Sequence, residues 1–377
     1  MNLALRVATY LLACACECSI AQLYSLTDLG TFGGATSVAY NVNNNAEVVG
    51  RADTATETHA FYWSSGTGLV DLGTLGGNFS RAENIDSFGN IVGIARTSGS
   101  VLHAFSYSYP SGPMVDQHGS MSQGGSQSII YTITDGGRMS GFATNSSGNN
   151  VAMYYDGGTW IALPTLGGTP TTNILARGVN DSGQVVGASR TASNQTHAFI
   201  WDSVNGIQDL GTFGGTTSQA NYINSSGIVV GRAQNASTFN RAFRWENGLM
   251  TDLGTLGGNT SVANKINASG DIVGTAQDSG GNNRAFLYTG GIMLDLNLYL
   301  DSSGVGWTLT EAMGISDNGF IVGHGILGGQ MRAFLLTPVP EPSTWFMLIA
   351  GIAFLCVVVR GKLGSSSNLG CTGKTRL

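Results

Sequence analysis

No cysteine occurs between Gln22 and Pro338: the five thiols, Cys14, Cys16, Cys18, Cys356 and Cys371, all lie in the end segments. Disulfides and thiolate metal sites are therefore excluded from most of the chain. Charge is scarce too. Asp, Glu, Lys and Arg supply 11% of residues, against the ~25% usual for globular domains. The formal net charge of −6 is not gathered into runs, so the basic stripe that neutralises phosphates is missing and no nucleic-acid partner is expected. Glycine is what the chain has in excess, with 56 residues, roughly double the usual ~7% share. So much Gly, Ser, Asn and Thr would fit disorder, but disordered chains lack regularly spaced Val, Ile, Phe and Trp, which are abundant here. Folded β structure is the better account.

A fixed period dominates the sequence. Asp71-Leu72-Gly73-Thr74-Leu75-Gly76-Gly77 opens its clearest copy and His103-Ala104-Phe105 closes it. Copies start at Asp28, Asp71, Asp116, Ala162, Asp209, Asp252 and Asp295, spaced 43 to 47 residues apart. That is close to the length of one four-stranded propeller blade. In the copy from Asp209, four short segments rich in Val, Ile, Phe or Trp are separated by Gly, Asn and Ser clusters, which reads as four strands joined by turns. Asn224-Ser225-Ser226-Gly227 recurs as Asn180-Asp181-Ser182-Gly183 and Asn267-Ala268-Ser269-Gly270; these are expected hairpins between the first two strands.

The expectation is an all-β, seven-bladed β-propeller over residues 22–338. Its ends are complementary: Leu23 to Leu29 matches the segment preceding each later repeat, while the last copy stops at Arg332-Ala333-Phe334-Leu335-Leu336 without a fourth strand. Pairing these segments would close the ring and remove exposed sheet edges. An open solenoid is the rival architecture, and it would need polar terminal caps.

Both ends carry address signals. Residues 1–21 read as a signal peptide: Arg6, an apolar stretch from Val7 to Ala15, then Ser19-Ile20-Ala21. Near the other end an apolar run from Trp345 to Val359 stops at Arg360 and Lys362, the pattern of a transmembrane helix with its C-terminal side in the cytoplasm. The run is shorter than the ~20 residues of a comfortable span and suits a transient inner-membrane anchor. Residues 363–377 then form a polar cytoplasmic tail.

Val339-Pro340-Glu341-Pro342-Ser343-Thr344, the apolar run and the basic stop resemble the PEP-CTERM sorting signal of Gram-negative bacteria, over residues 339–362. The resemblance implies recognition at Pro340, Glu341 and Pro342 by an exosortase-type membrane protease, and delivery to the cell surface or extracellular matrix. The repeat words from Asp28 to Phe334 resemble the extracellular HAF repeat family, whose members are secreted proteins of undefined activity. That resemblance implies a location and no catalytic residues.

The expected function is non-enzymatic: a surface-delivered propeller, with no cofactor or metal, binding exopolysaccharide or another matrix component through repeated weak contacts. Trp63, Trp201, Trp245 and Trp307 are candidate platforms for sugar rings, although packing between blades is the commoner role of such aromatics. His59, His103 and His197 give way to Arg241, Arg284 and Arg332 at the same repeat position, an exchange that a general base or metal ligand would not survive. The alternative is a polysaccharide hydrolase or lyase. Its residues should break the repeat, and the best such departures are Asp116, His118, Glu311 and His324. A purely structural matrix protein is the third reading.

Overall fold

Gly50 faces Phe61 across two neighbouring strands, and the same pairing joins Gly93 to Phe105, Gly187 to Phe199, Gly231 to Phe243, Gly274 to Phe286 and Gly323 to Phe334. The phenylalanine that closes each of these repeats thus meets the glycine of a recurring Val-Gly pair. A β-carbon on Gly50 would lie 2.1 Å from the Val38 carbonyl oxygen and 2.7 Å from the Phe61 ring, so only glycine admits the ring there. All six phenylalanines are fully buried, and each truncation to alanine is expected to cost ~3–5 kcal/mol.

The structure, a computed structural model, describes residues 22–110, 112–169, 171 and 174–340. The expected signal peptide, the sorting helix at 345–359 and the tail lie outside the described residues. Among those described, no helix is long and apolar enough to cross a membrane.

Apart from β1 (Tyr24–Asp28), the strands follow one another as antiparallel meanders. The first comprises β2 (Ser37–Val42), β3 (Val48–Asp53), β4 (Thr58–Ser64) and β5 (Gly68–Asp71). The second is β6 (Gly76–Ile85), β7 (Asn90–Thr97), β8 (Leu102–Ser108) and β9 (Val115–Asp116), and the third is β10 (Gly124–Ile133), β11 (Met139–Asn145), β12 (Asn150–Tyr155) and β13 (Trp160–Ala162). Next come β14 (Leu175–Val179), β15 (Val185–Arg190), β16 (Thr196–Asp202) and β17 (Gly206–Gly211), then β18 (Gly214–Ile223), β19 (Val229–Asn235), β20 (Asn240–Glu246) and β21 (Leu249–Asp252). The sixth is β22 (Gly257–Ile266), β23 (Ile272–Asp278), β24 (Asn283–Thr289) and β25 (Ile292–Asp295). The last is β26 (Trp307–Ile315), β27 (Ile321–Leu327) and β28 (Gln330–Pro338). Its fourth place is taken by β1, hydrogen-bonded beside β28.

Head and tail therefore meet in one sheet. The Leu29 N–H donates to the Ala333 carbonyl at 3.1 Å, and both side chains join one buried cluster with Val42, Val48 and Phe61. The opening strands also touch in succession, β2 to β6 to β10 to β14 to β18 to β22 to β26, and β26 touches β2 again. Leu23–Thr337 forms one compact unit that contains every hydrophobic cluster found among the described residues. It thus has the core of an independently folding body.

The third repeat departs from strand-only structure. A single-turn helix, α1 (His118–Met121), stands where other copies carry the glycine loop, and buries Met121.

Candidate functional site

The hairpins between first and second strands gather at one end of the ring. Asn224 shows how each is built: its Oδ1 accepts the N–H groups of Ser226 at 3.1 Å and Ile228 at 3.0 Å, closing the turn, while its Nδ2 donates to the Asn267 carbonyl of the next meander at 3.0 Å. Asn43 reaches Asp86 and Asn180 reaches Asn224 in the same way, each at 3.0 Å. One side chain thus makes the turn and fastens the neighbour. Side chains continue the belt: Ser87 N–H donates to Asp135 at 2.8 Å, Ala268 N–H to Asp317 at 2.8 Å, and Asp317 N–H to Asn44 at 2.8 Å. The last contact crosses the seam between tail and head.

These turns surround a polar cavity of about 210 Å³. Lys265 lines it, almost wholly buried, donating to Asn41 and standing 4.8 Å from the centre of the Tyr222 ring. Burial pulls its ammonium down to about 7, and the charge of Asp317 only partly opposes this. Nothing in the periodic pattern marks Lys265, because the equivalent position holds Asn41, Asn84 or Tyr222 elsewhere.

The histidines of the repeat have a structural partner. His59 Nδ1 lies 2.7 Å from Asp71, His103 Nδ1 2.7 Å from Asp116, and His197 Nδ1 2.8 Å from Asp209. Arg241 takes the same place against Asp252 at 3.0 Å, and Arg332 against Asp28 at 3.4 Å. Arg284 differs, bonding Asp278 at 2.9 Å. The exchange of histidine for arginine is thus an exchange of one donor for another. Each aspartate's second oxygen receives the N–H two residues on, as Asp71 does from Gly73 at 2.7 Å and Asp209 from Gly211 at 2.8 Å. Gly73 and Gly76 then adopt φ of +72° and +93°, which opens the way to the next meander.

A serine locks adjacent meanders together. Ser80 Oγ accepts from Ala60 N–H at 2.7 Å and donates to the Gly73 carbonyl at 2.5 Å. In the third repeat, Ser128 Oγ accepts from Ala104 N–H at 3.0 Å, but its other partner is His118 Nδ1, also at 3.0 Å. The His118 ring stacks on His103 with centroids 4.2 Å apart. Burial and then the neighbouring His103 lower the His118 pKa.

The four repeat-breaking candidates fall into two pairs. Asp116 and His118 meet through His103 on the outer part of the second meander, whereas Glu311 and His324 face each other at 3.9 Å on β26 and β27. Glu311 also accepts from Asn264 at 2.9 Å. Burial lowers the His324 pKa, with Glu311 opposing and Arg51 reinforcing the shift.

Trp63, Trp201, Trp245 and Trp307 are all half-buried against hydrophobic clusters. Trp201 lies 5.6 Å from Tyr154, and Trp307 meets Phe334 edge-on at 6.4 Å. Pro340 is exposed beyond β28, and Glu341 and Pro342 lie outside the described residues.

The PEP-CTERM protein-sorting motif matches residues 338–362, which marks an exported protein. No curated protein matches the chain. Among solved structures, the β-propeller domain of the trilobed protease from Pyrococcus furiosus is similar at 9% identity, covering 85% of this chain and 99% of that one, with a TM-score of 0.51. A puromycin-hydrolyzing peptidase from Mycobacterium tuberculosis aligns at 9% identity over 84% of this chain, with a TM-score of 0.52. This chain spans about half, 54%, of that peptidase's length. At such identities the likeness concerns the fold alone: all-β and propeller-like.

Proposed function

We propose that the chain is a secreted, non-enzymatic, seven-bladed β-propeller of the HAF repeat type that binds an exopolysaccharide or another matrix component at the cell surface. The observation that carries this reading is the sorting motif, which begins at 338, where the last strand ends. Leu23–Thr337 is one compact unit carrying the repeats, and its repeat-breaking acids and bases fall into two separated pairs instead of one cleft, which favours binding over catalysis. Blades presenting equivalent polar turns suit many weak contacts to a repeating polymer. The half-buried edges of Trp63, Trp201, Trp245 and Trp307 are proposed as secondary contacts for sugar rings.

An exosortase-type protease is the proposed processing partner, acting at Pro340, Glu341 and Pro342 after export by a signal peptide at 1–21. The test of binding is chromatography of residues 22–338 on immobilised exopolysaccharide from the producing cells. Retarded elution is expected. Elution identical to that on an unmodified column overturns the reading.

A further inference from the structure

The residue after the recurring glycine sits at one register position in the second strand of each meander: Arg51, Ile94, Phe142, Ala188, Arg232, Thr275 and His324. Ala188 is the smallest of them. Between the fourth and fifth meanders, where Ala188 leaves room, lies a cavity of about 210 Å³. Its walls mix Leu175 and Ala188 with Thr196, Thr217, Gln219, Arg232 and Asn240.

Arg232 has no carboxylate partner. Its Nη2 donates to Gln219 at 3.2 Å, and no Asp or Glu of the described residues reaches it as an ion pair. Arg177, outside the cavity lining, is a second arginine without an ion pair among the described residues. Its guanidinium sits 4.9 Å from the centre of the Tyr131 ring, and its buried Nε has no hydrogen-bond partner. Burial, and then the like charge of Arg177, lower the Arg232 pKa. An arginine lining a cavity without a counter-charge favours an anion beside it.

We propose that this cavity binds a single carboxylated sugar residue, a hexuronate, with Arg232 on the carboxylate. The amides and hydroxyls of Gln219, Asn240, Thr196 and Thr217 supply the mixed donors and acceptors that ring hydroxyls need, and Leu175 with Ala188 offers an apolar wall to the ring's C–H face. The volume is below the ~300–1,000 Å³ of drug-sized ligand sites, so it takes one ring, such as a chain end, and not a polymer segment. The inference rests on the polysaccharide-binding reading and gives it a substrate class.

The experiment is calorimetric titration of residues 22–338 with glucuronate, glucose and inorganic phosphate, repeated with Arg232→Gln and Ala188→Phe. Phenylalanine already occupies the equivalent register position as Phe142, so filling the cavity is compatible with the fold, and circular dichroism checks both variants. Glucuronate is expected to bind at least ~10-fold more tightly than glucose, with each variant losing at least ~10-fold. Phosphate binding as tight as glucuronate, or wild-type affinity in both variants, overturns the proposal. Retention of Ala188→Phe on the polysaccharide column alongside unchanged glucuronate affinity would sink this site while leaving the broader binding function standing.

Discussion

His118 Nδ1 stands 3.0 Å from Ser128 Oγ, in the place where the Gly73 carbonyl stands toward Ser80 in the regular repeat. A side chain has replaced a backbone oxygen in the same bond. A neutral ring that accepts the serine proton, as the carbonyl does, matches the lowering of its pKa by burial and by His103. His59 is opposite in sign: burial pulls it down, but its hydrogen bonds to the Asp71 and Glu57 carboxylates outweigh that and raise it.

The two histidines are therefore expected to titrate on opposite sides of 6.5 in an NMR pH series. His59 contributes stability that is complete below pH 6.5 and lost as pH rises through its raised folded value. His118 does the reverse, and the fold loses stability as pH falls from 6.5 through its lowered value. Coincident titration of both rings would contradict the assignment.

His59→Arg is expected to change stability by less than ~1 kcal/mol, since arginine serves the same aspartate in later repeats and exposed ion pairs are weak. Asp71→Ala should cost more, ~1–2 kcal/mol, because it removes the turn-closing bond to Gly73 as well as the partner of His59. Urea denaturation of the two variants measures the difference. Equal losses would contradict a turn-closing role for Asp71.

Lys265 predicts a pH slope of its own. Between about 7 and its ordinary value of 10.5, the unfolded chain holds a proton that the folded chain has shed, so stability rises with pH across that window and is flat on either side of it. Lys265→Met should flatten this part of the curve in denaturant melts from pH 6 to about 11. An unchanged slope would place the buried charge elsewhere.

Much of this was legible in the sequence, for reasons visible in single residues. Asn224 makes its turn through its own side chain, so Asn-Ser-Ser-Gly announces a hairpin without help from the rest of the fold. The seam was readable because Leu23 to Leu29 is a fourth strand lacking its sheet, and β1 lies beside β28. The Ser80 and Ser128 locks were missed, because an isolated serine in an alternating strand carries no local signal until the next meander is placed against it. Lys265 and the Arg232 cavity depend on which meanders are neighbours and on how small Ala188 is, and neither is a property of one stretch of chain. The single-turn helix at His118–Met121 was missed because four residues carry no helical period.

The closed ring underlies every site described, and the seam tests it most directly. Residues 22–338 contain no cysteine, so a Leu29→Cys, Ala333→Cys double variant has only one thiol pair available. The N–H of residue 29 bonds the carbonyl of residue 333 at 3.1 Å, which brings the two backbones within the reach of a disulfide. Mild oxidation should give an intramolecular crosslink, seen as a monomer of altered mobility on a non-reducing gel, that melts at a higher temperature than its reduced form. Recovery of free thiols only, or of crosslinked dimers only, would contradict a ring in which head and tail share one sheet.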